Sequence, residues 1–256
     1  MPSPSTAWIV THAGVAALAF ARAAGLAWTA PGMATPGLGS RARVVLAGLL
    51  GLTLVPVVGG DPAAAALGWS AVAAACAGEV LVGAALGWSA ALVVAGARQA
   101  GELVGAQAGL SAAALFDPEA GDELSALGHL YGLVALGAFL ALDGPLALVR
   151  ALVESYRVVP PGVGWVWTEG AAAMAFGRVG GALALALRAA APAATALALA
   201  GVALGLLGRA APSLQLVALA MPVRAALGLT LVLLGLGALA ATLSLTWAAW
   251  PGAGGP

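Results

Sequence analysis

Lysine and asparagine are absent from this chain, isoleucine occurs once, at Ile9, and cysteine once, at Cys76. The missing residues use AT-rich codons and the abundant Ala, Gly, Arg and Pro use GC-rich ones, so the composition records a GC-rich bacterial coding sequence. A single cysteine excludes an internal disulfide, and Cys76 in the run AVAAACAG reads as a small packing residue. Two isolated histidines, His12 and His129, exclude a His/Cys metal cluster. Charge is equally scarce: Asp, Glu and Arg together make 8% of 256 residues, with a net charge of zero. Soluble domains carry roughly 25%, so no water-facing surface can be assembled from this chain. Without basic clusters there is no footprint for nucleic acid. HExxH, phosphate-loop and GxSxG patterns are missing too, and the acidic segment lacks the twelve-residue ligand spread of an EF-hand. No enzyme, cofactor or metal site is expected.

What is present is apolar. Hydrophobic residues make 62% of the chain, mean hydropathy is +1.04, and several runs reach the roughly 20 residues of a membrane-spanning helix. The expectation is an all-α integral membrane protein of five to six long apolar helices or helical hairpins. One domain covers residues 1–250, and 251–256 form a disordered tail. The run Ala7–Ala30 has no basic residue before it and is long for a signal peptide, so it reads as a retained first helix. A second, shorter run spans Val44–Val58. A long helical pattern extends from about Ala63 to Ala114, too long for one bilayer crossing unless it breaks near Gly96 or continues beyond the membrane. The run Leu124–Val159 is interrupted at Asp143-Gly144-Pro145 and ends at Pro160-Pro161-Gly162. The connector GWVWTEG follows, with tryptophans suited to a membrane interface. Two further runs, Ala171–Leu207 and Leu214–Trp250, carry Pro192 and Pro222 as expected kinks, with Arg209 and Pro212 between them. No internal repeat is evident.

Glycines four apart share a helix face and let backbones approach. Gly83/Gly87, Gly128/Gly132 and Gly201/Gly205 have this spacing, and Gly101, Gly105 and Gly109 form the longest ladder. Charges inside the apolar runs need a partner or water. Arg22, Glu79, Arg98, Glu102, Asp143, Arg150, Glu154, Arg178, Arg188 and Arg224 are so placed. Spacing suggests two local pairs, Arg98 with Glu102 and Arg150 with Glu154. The most polar interruption is FDPEAGDE. There Asp117, Glu119, Asp122 and Glu123 cluster around the helix breakers Pro118 and Gly121. Such a loop persists at membrane depth only inside protein or against water. Three readings are open: part of a protein assembly around a wet passage, a small-molecule secondary transporter with broken helices, or a passive membrane scaffold. The missing repeat weighs against the second.

The segments GEVLVGAALGW (78–88), GELVGAQAGLS (101–111), the FDP turn, LALDG, ESYRVVPPG (154–162) and LGLLGRAAPSLQLVALAMPVR (204–224) occur in this order. Together they resemble the FliR/SctT family of type III export-gate subunits, over nearly the whole chain. The N-terminal block with Arg22, Pro31, Arg41 and Arg43 fits more loosely. Departures from the family's habit include Gly201 and Gly208 where asparagine is common, and Ala112 and Leu115 where aromatics are common. The resemblance implies a non-enzymatic subunit of the bacterial inner membrane, at a flagellar basal body or injectisome base. Its implied partners are FliP/SctR-like and FliQ/SctS-like subunits, an FlhB/SctU-like switch protein and unfolded export substrates. It further implies that the loop from Gly109 to Glu123 plugs the closed channel. Leu110, Ala112, Ala113, Leu115 and Phe116 would seal, and Asp117, Pro118, Glu119, Asp122 and Glu123 would face the wet lumen. The sequence does not separate flagellar from virulence-type use.

Overall fold

Long apolar segments satisfy their backbone polar groups internally only as helices, and helices are what form. The computed structural model describes residues 4–33, 39–58, 69–109, 126–162, 169–210 and 216–248. Seven helices lie among the described residues: α1 Pro4–Thr29, α2 Ser40–Val58, α3 Trp69–Ala108, α4 Ala126–Ala141, α5 Gly144–Val158, α6 Glu169–Ala210 and α7 Leu216–Ala248. No strand occurs among these residues. Pro192 and Pro222 lie inside α6 and α7, which continue through them.

Three stretches are long and apolar enough to cross a membrane: Ser70–Ala108, Gly177–Ala210 and Pro222–Ala248. A fourth is reached if α4 and α5 count as one broken span. This is fewer than the five to six arms expected. In α1 the apolar stretch Ala13–Thr29 is shorter than these. In α2, Arg41 and Arg43 occupy the first turn and Pro56 the last. The long pattern after Ala63 does not break at Gly96: α3 is one helix of 40 residues. At 1.5 Å per residue it is about 60 Å long, twice the ~30 Å of bilayer hydrocarbon. Ordinary helix tilts do not absorb that excess. Part of α3 must therefore lie beyond the hydrocarbon or be covered by protein.

The expected interruption at Asp143-Gly144-Pro145 is real. Asp143 adopts φ 54°, ψ 32°, a left-handed conformation that aspartate tolerates better than most residues. It stands just before α5, with proline in that helix's first turn.

The helices fall into two compact units. One contains α1, α2, α3 as far as Ala91, and α5. Here α1 is lined by buried small and branched residues, Val15, Leu18, Ala19, Ala23, Leu26 and Ala27. Gly51 of α2 lies against the Phe20 backbone. Val15 and Leu18 pack with Ala75, bordered by Val55, Val58 and Cys76. The other unit contains α3 from Leu92, α4, α6 from Gly177, and α7. Its core holds Leu197, Val232, Leu239 and Leu243, and Phe139 packs on Trp247 with ring centroids 4.8 Å apart.

Candidate functional site

Two ionised side chains buried in an apolar unit must satisfy each other and everything around them. Arg22 of α1 is 0% exposed and Glu79 of α3 is 1% exposed. Their approach is permitted by glycine. Gly83 rests against the Arg22 carbonyl and the Leu26 amide. Gly25 rests against the Val80 carbonyl and the Ala84 amide, and Gly87 against Thr29 and Ala30. Thr29 Oγ1 donates across the crossing to the Ala84 carbonyl at 3.1 Å. The Gly83/Gly87 spacing thus builds the close helix contact it suggested.

Every guanidinium nitrogen of Arg22 is used. Nε donates to Glu79 Oε2 at 2.5 Å, Nη1 to Ser155 Oγ at 2.9 Å, and Nη2 to the Val159 carbonyl at 3.0 Å. Its plane lies over the Tyr156 ring, with Cζ 3.9 Å from the centroid. Such stacking is a strength of arginine that lysine does not share. Ser155 Oγ in turn donates a hydrogen bond to the Leu152 carbonyl at 2.6 Å. The second carboxylate oxygen of Glu79, Oε1, accepts the Gly162 amide at 3.0 Å. The pair therefore binds α5 and the step that follows it. Val159 is pushed to an extended conformation (φ −125°, ψ 96°), as a residue before proline must be. Pro160 and Pro161 carry no amide proton, so Gly162 (φ 84°) is the first donor after Val159. The ion pair holds the carbonyl at one end of this step and the amide at the other.

Sequence reasoning named Arg22 and Glu79 as embedded charges but did not pair them, because 57 positions separate them. Ser155, Tyr156, Val159 and Gly162 were visible only as parts of the ESYRVVPPG segment.

The two local pairs expected from spacing are corrected. Glu154 accepts from Arg157 Nη1 at 3.1 Å, three residues on and exposed to solvent, rather than from Arg150. Arg98 and Glu102 do not close on each other: the Arg98 side chain runs over Gly132 and the Glu102 side chain over Gly128, both on α4. Arg98 Nε is buried and has no hydrogen bond among the described residues. Four-residue spacing on α3 matches four-residue spacing on α4, and each long side chain takes the space a Cβ would fill. The glycine ladder divides likewise. Gly101 faces the Leu127 carbonyl and Gly128, whereas Gly109, with φ 77° and no close neighbour among the described residues, stands just past the end of α3. That is the left-handed stop glycine serves best. Gly105 lies buried between them. Arg224 lies over Gly201, while Gly205 meets nothing among the described residues. Arg150 is exposed on α5, and Arg209 in the last turn of α6 is a cation placed favourably for the helix dipole.

The loop residues Leu110, Ala112, Ala113, Leu115, Phe116, Asp117, Pro118, Glu119, Asp122 and Glu123 lie outside the described residues, as do Trp165, Trp167, Pro212 and the tail 251–256. Among the described residues no group of three or more His, Cys, Asp or Glu could hold a metal ion.

The profile of the bacterial export proteins, family 1, matches residues 13–249. The chain is 31% identical over 214 residues to the flagellar biosynthetic protein FliR of Pectobacterium carotovorum subsp. carotovorum, covering 82% of this chain and 79% of that protein. Over 228 residues it is 31% identical to FliR of Caulobacter vibrioides, with 88% and 90% covered. It is 32% identical over 155 residues to FliR of Escherichia coli K12, with 60% and 59% covered.

Proposed function

Because the chain belongs to family 1 of the bacterial export proteins, the FliR/SctT family, we propose that it is the FliR-type subunit of a flagellar type III export gate in the inner membrane. The observation that carries this reading is the match across nearly the whole chain, with every curated relative above named for flagellar biosynthesis. The physical character of the chain supports it. A helix about twice the bilayer thickness and many exposed apolar side chains, Leu199, Leu234 and Leu245 among them, suit a subunit covered by other subunits. The small-molecule transporter is not favoured, since it accounts for none of the family match.

The role is structural and non-enzymatic. Residues 1–250 act as one unit of assembly with FliP/SctR-like and FliQ/SctS-like subunits and meet an FlhB/SctU-like switch protein, around a conduit for unfolded substrates. The segment Leu110–Glu123 hangs in that conduit, its apolar half sealing and its acidic half in water. Co-purification tests the reading. Tagged chain extracted gently from membranes of its own bacterium should bring down FliP-like and FliQ-like subunits in fixed ratio. A chain recovered alone, and active in solute uptake in vesicles, would overturn it.

A further inference from the structure

The contacts around Arg22 and Glu79 are of two kinds. Between α1 and α3 the contact is mostly close backbone packing at Gly25, Gly83 and Gly87, with the Thr29–Ala84 hydrogen bond and the Arg22–Glu79 pair as its polar ties. Many atoms touch along several turns, so the crossing rests on close packing as well as on these two polar ties. Between this crossing and the end of α5 the contact is polar and concentrated. Arg22 takes Ser155 and Val159, stacks on Tyr156, and Glu79 takes Gly162. Tyr156 is buried, and its hydroxyl has no hydrogen-bond partner among the described residues, so burial of this turn carries a polar cost that the strap must offset. With both prolines lacking amides, no backbone donor at Pro160 or Pro161 can replace the Gly162 bond.

We propose that Arg22 and Glu79 form a polar strap that fixes the last turn of α5 and the Val159–Gly162 step to the α1–α3 crossing, and that this joint, not the crossing, is where the unit opens. The inference goes beyond the export reading and stands or falls separately from it.

The strap has a direction. Glu79→Gln leaves one acceptor oxygen and an amino group, so it can serve Arg22 or Gly162 but not both. Arg22→Lys keeps the charge and loses the planar fork that reaches three acceptors. Exchanging the charges, Arg22→Glu with Glu79→Arg, restores an ion pair. The exchanged pair cannot donate to the Val159 carbonyl from position 22 or accept the Gly162 amide at position 79.

Hydrogen exchange of the full purified chain tests this. In the unaltered protein, the amides of Val159 and Gly162 should exchange faster than those of 19–27 and 80–87. If the crossing exchanges first, the proposal is wrong, and no variant is needed to learn it. In Glu79→Gln and Arg22→Lys, exchange at Val159 and Gly162 should rise on the order of tenfold or more, the scale of one lost charge-assisted bond. The crossing, which keeps its glycine packing and the Thr29–Ala84 bond, should change far less. The charge-exchanged protein should look like the single variants. Restored protection in it, or an equal rise along α1 and α3, would reduce the strap to an ordinary ion pair and overturn the proposal.

Discussion

Gly83 of α3 lies against the backbone carbonyl of Arg22, where even a methyl group would meet main-chain atoms that cannot turn aside. Gly83→Ala should therefore force the two helices apart and cost about 1–3 kcal/mol, the scale of overpacking. A methyl group at Gly180 in α6 would meet nothing among the described residues. There alanine should leave the isolated chain as stable or raise stability by up to ~1 kcal/mol, since alanine is the better helix former. Thermal unfolding in detergent checks both. Equal effects would deny the close crossing.

Removing one charge from a buried pair strands the other. Arg22→Ala should destabilise by roughly 3–5 kcal/mol, and Arg22→Ala with Glu79→Ala by less, because no uncompensated carboxylate remains. The comparison is read from unfolding midpoints of purified single and double variants. A double variant worse than the single would mean that the two side chains act independently.

The left-handed Asp143 breaks the helix between α4 and α5. Asp143→Gly should be neutral or mildly stabilising, because glycine adopts this conformation without strain. Asp143→Val should cost about 1–2 kcal/mol, the price of the left-handed region for a branched residue. If valine is tolerated as well as glycine, the break is held by something other than this residue's backbone.

If Leu110–Phe116 seals the closed conduit, Leu115→Ala with Phe116→Ala should raise ion conductance of membranes bearing the assembled complex, with assembly itself unchanged. Conductance at background in a correctly assembled complex would remove the plug from this segment.

Sequence and structure agree where local chemistry decides. Proline, glycine and aspartate mark the Asp143 break and the end of α5, and the long apolar run marks α7. The family landmarks are local strings and could be read directly. What the sequence hid was long-range. Arg22 and Glu79 looked like two separate liabilities, because a partner 57 residues away leaves no periodic trace. Conversely, Arg98 with Glu102 and Arg150 with Glu154 had favourable spacing. For Arg98 and Glu102 the glycines across the way on α4 took the side chains; for Glu154 a nearer arginine on the same helix, Arg157, took the place of Arg150. Gly109 shows the same ambiguity from the other side. Its place in a four-residue ladder suggests packing, yet one residue past a helix end the same glycine serves backbone conformation.

The most direct test of the central claim is export itself. The gene for this chain is deleted from its own bacterium, and flagellar export substrates in the culture medium are measured with and without the chain supplied in trans. The account predicts that export falls to background on deletion and returns with the chain. Undiminished export from the deletion strain would contradict it.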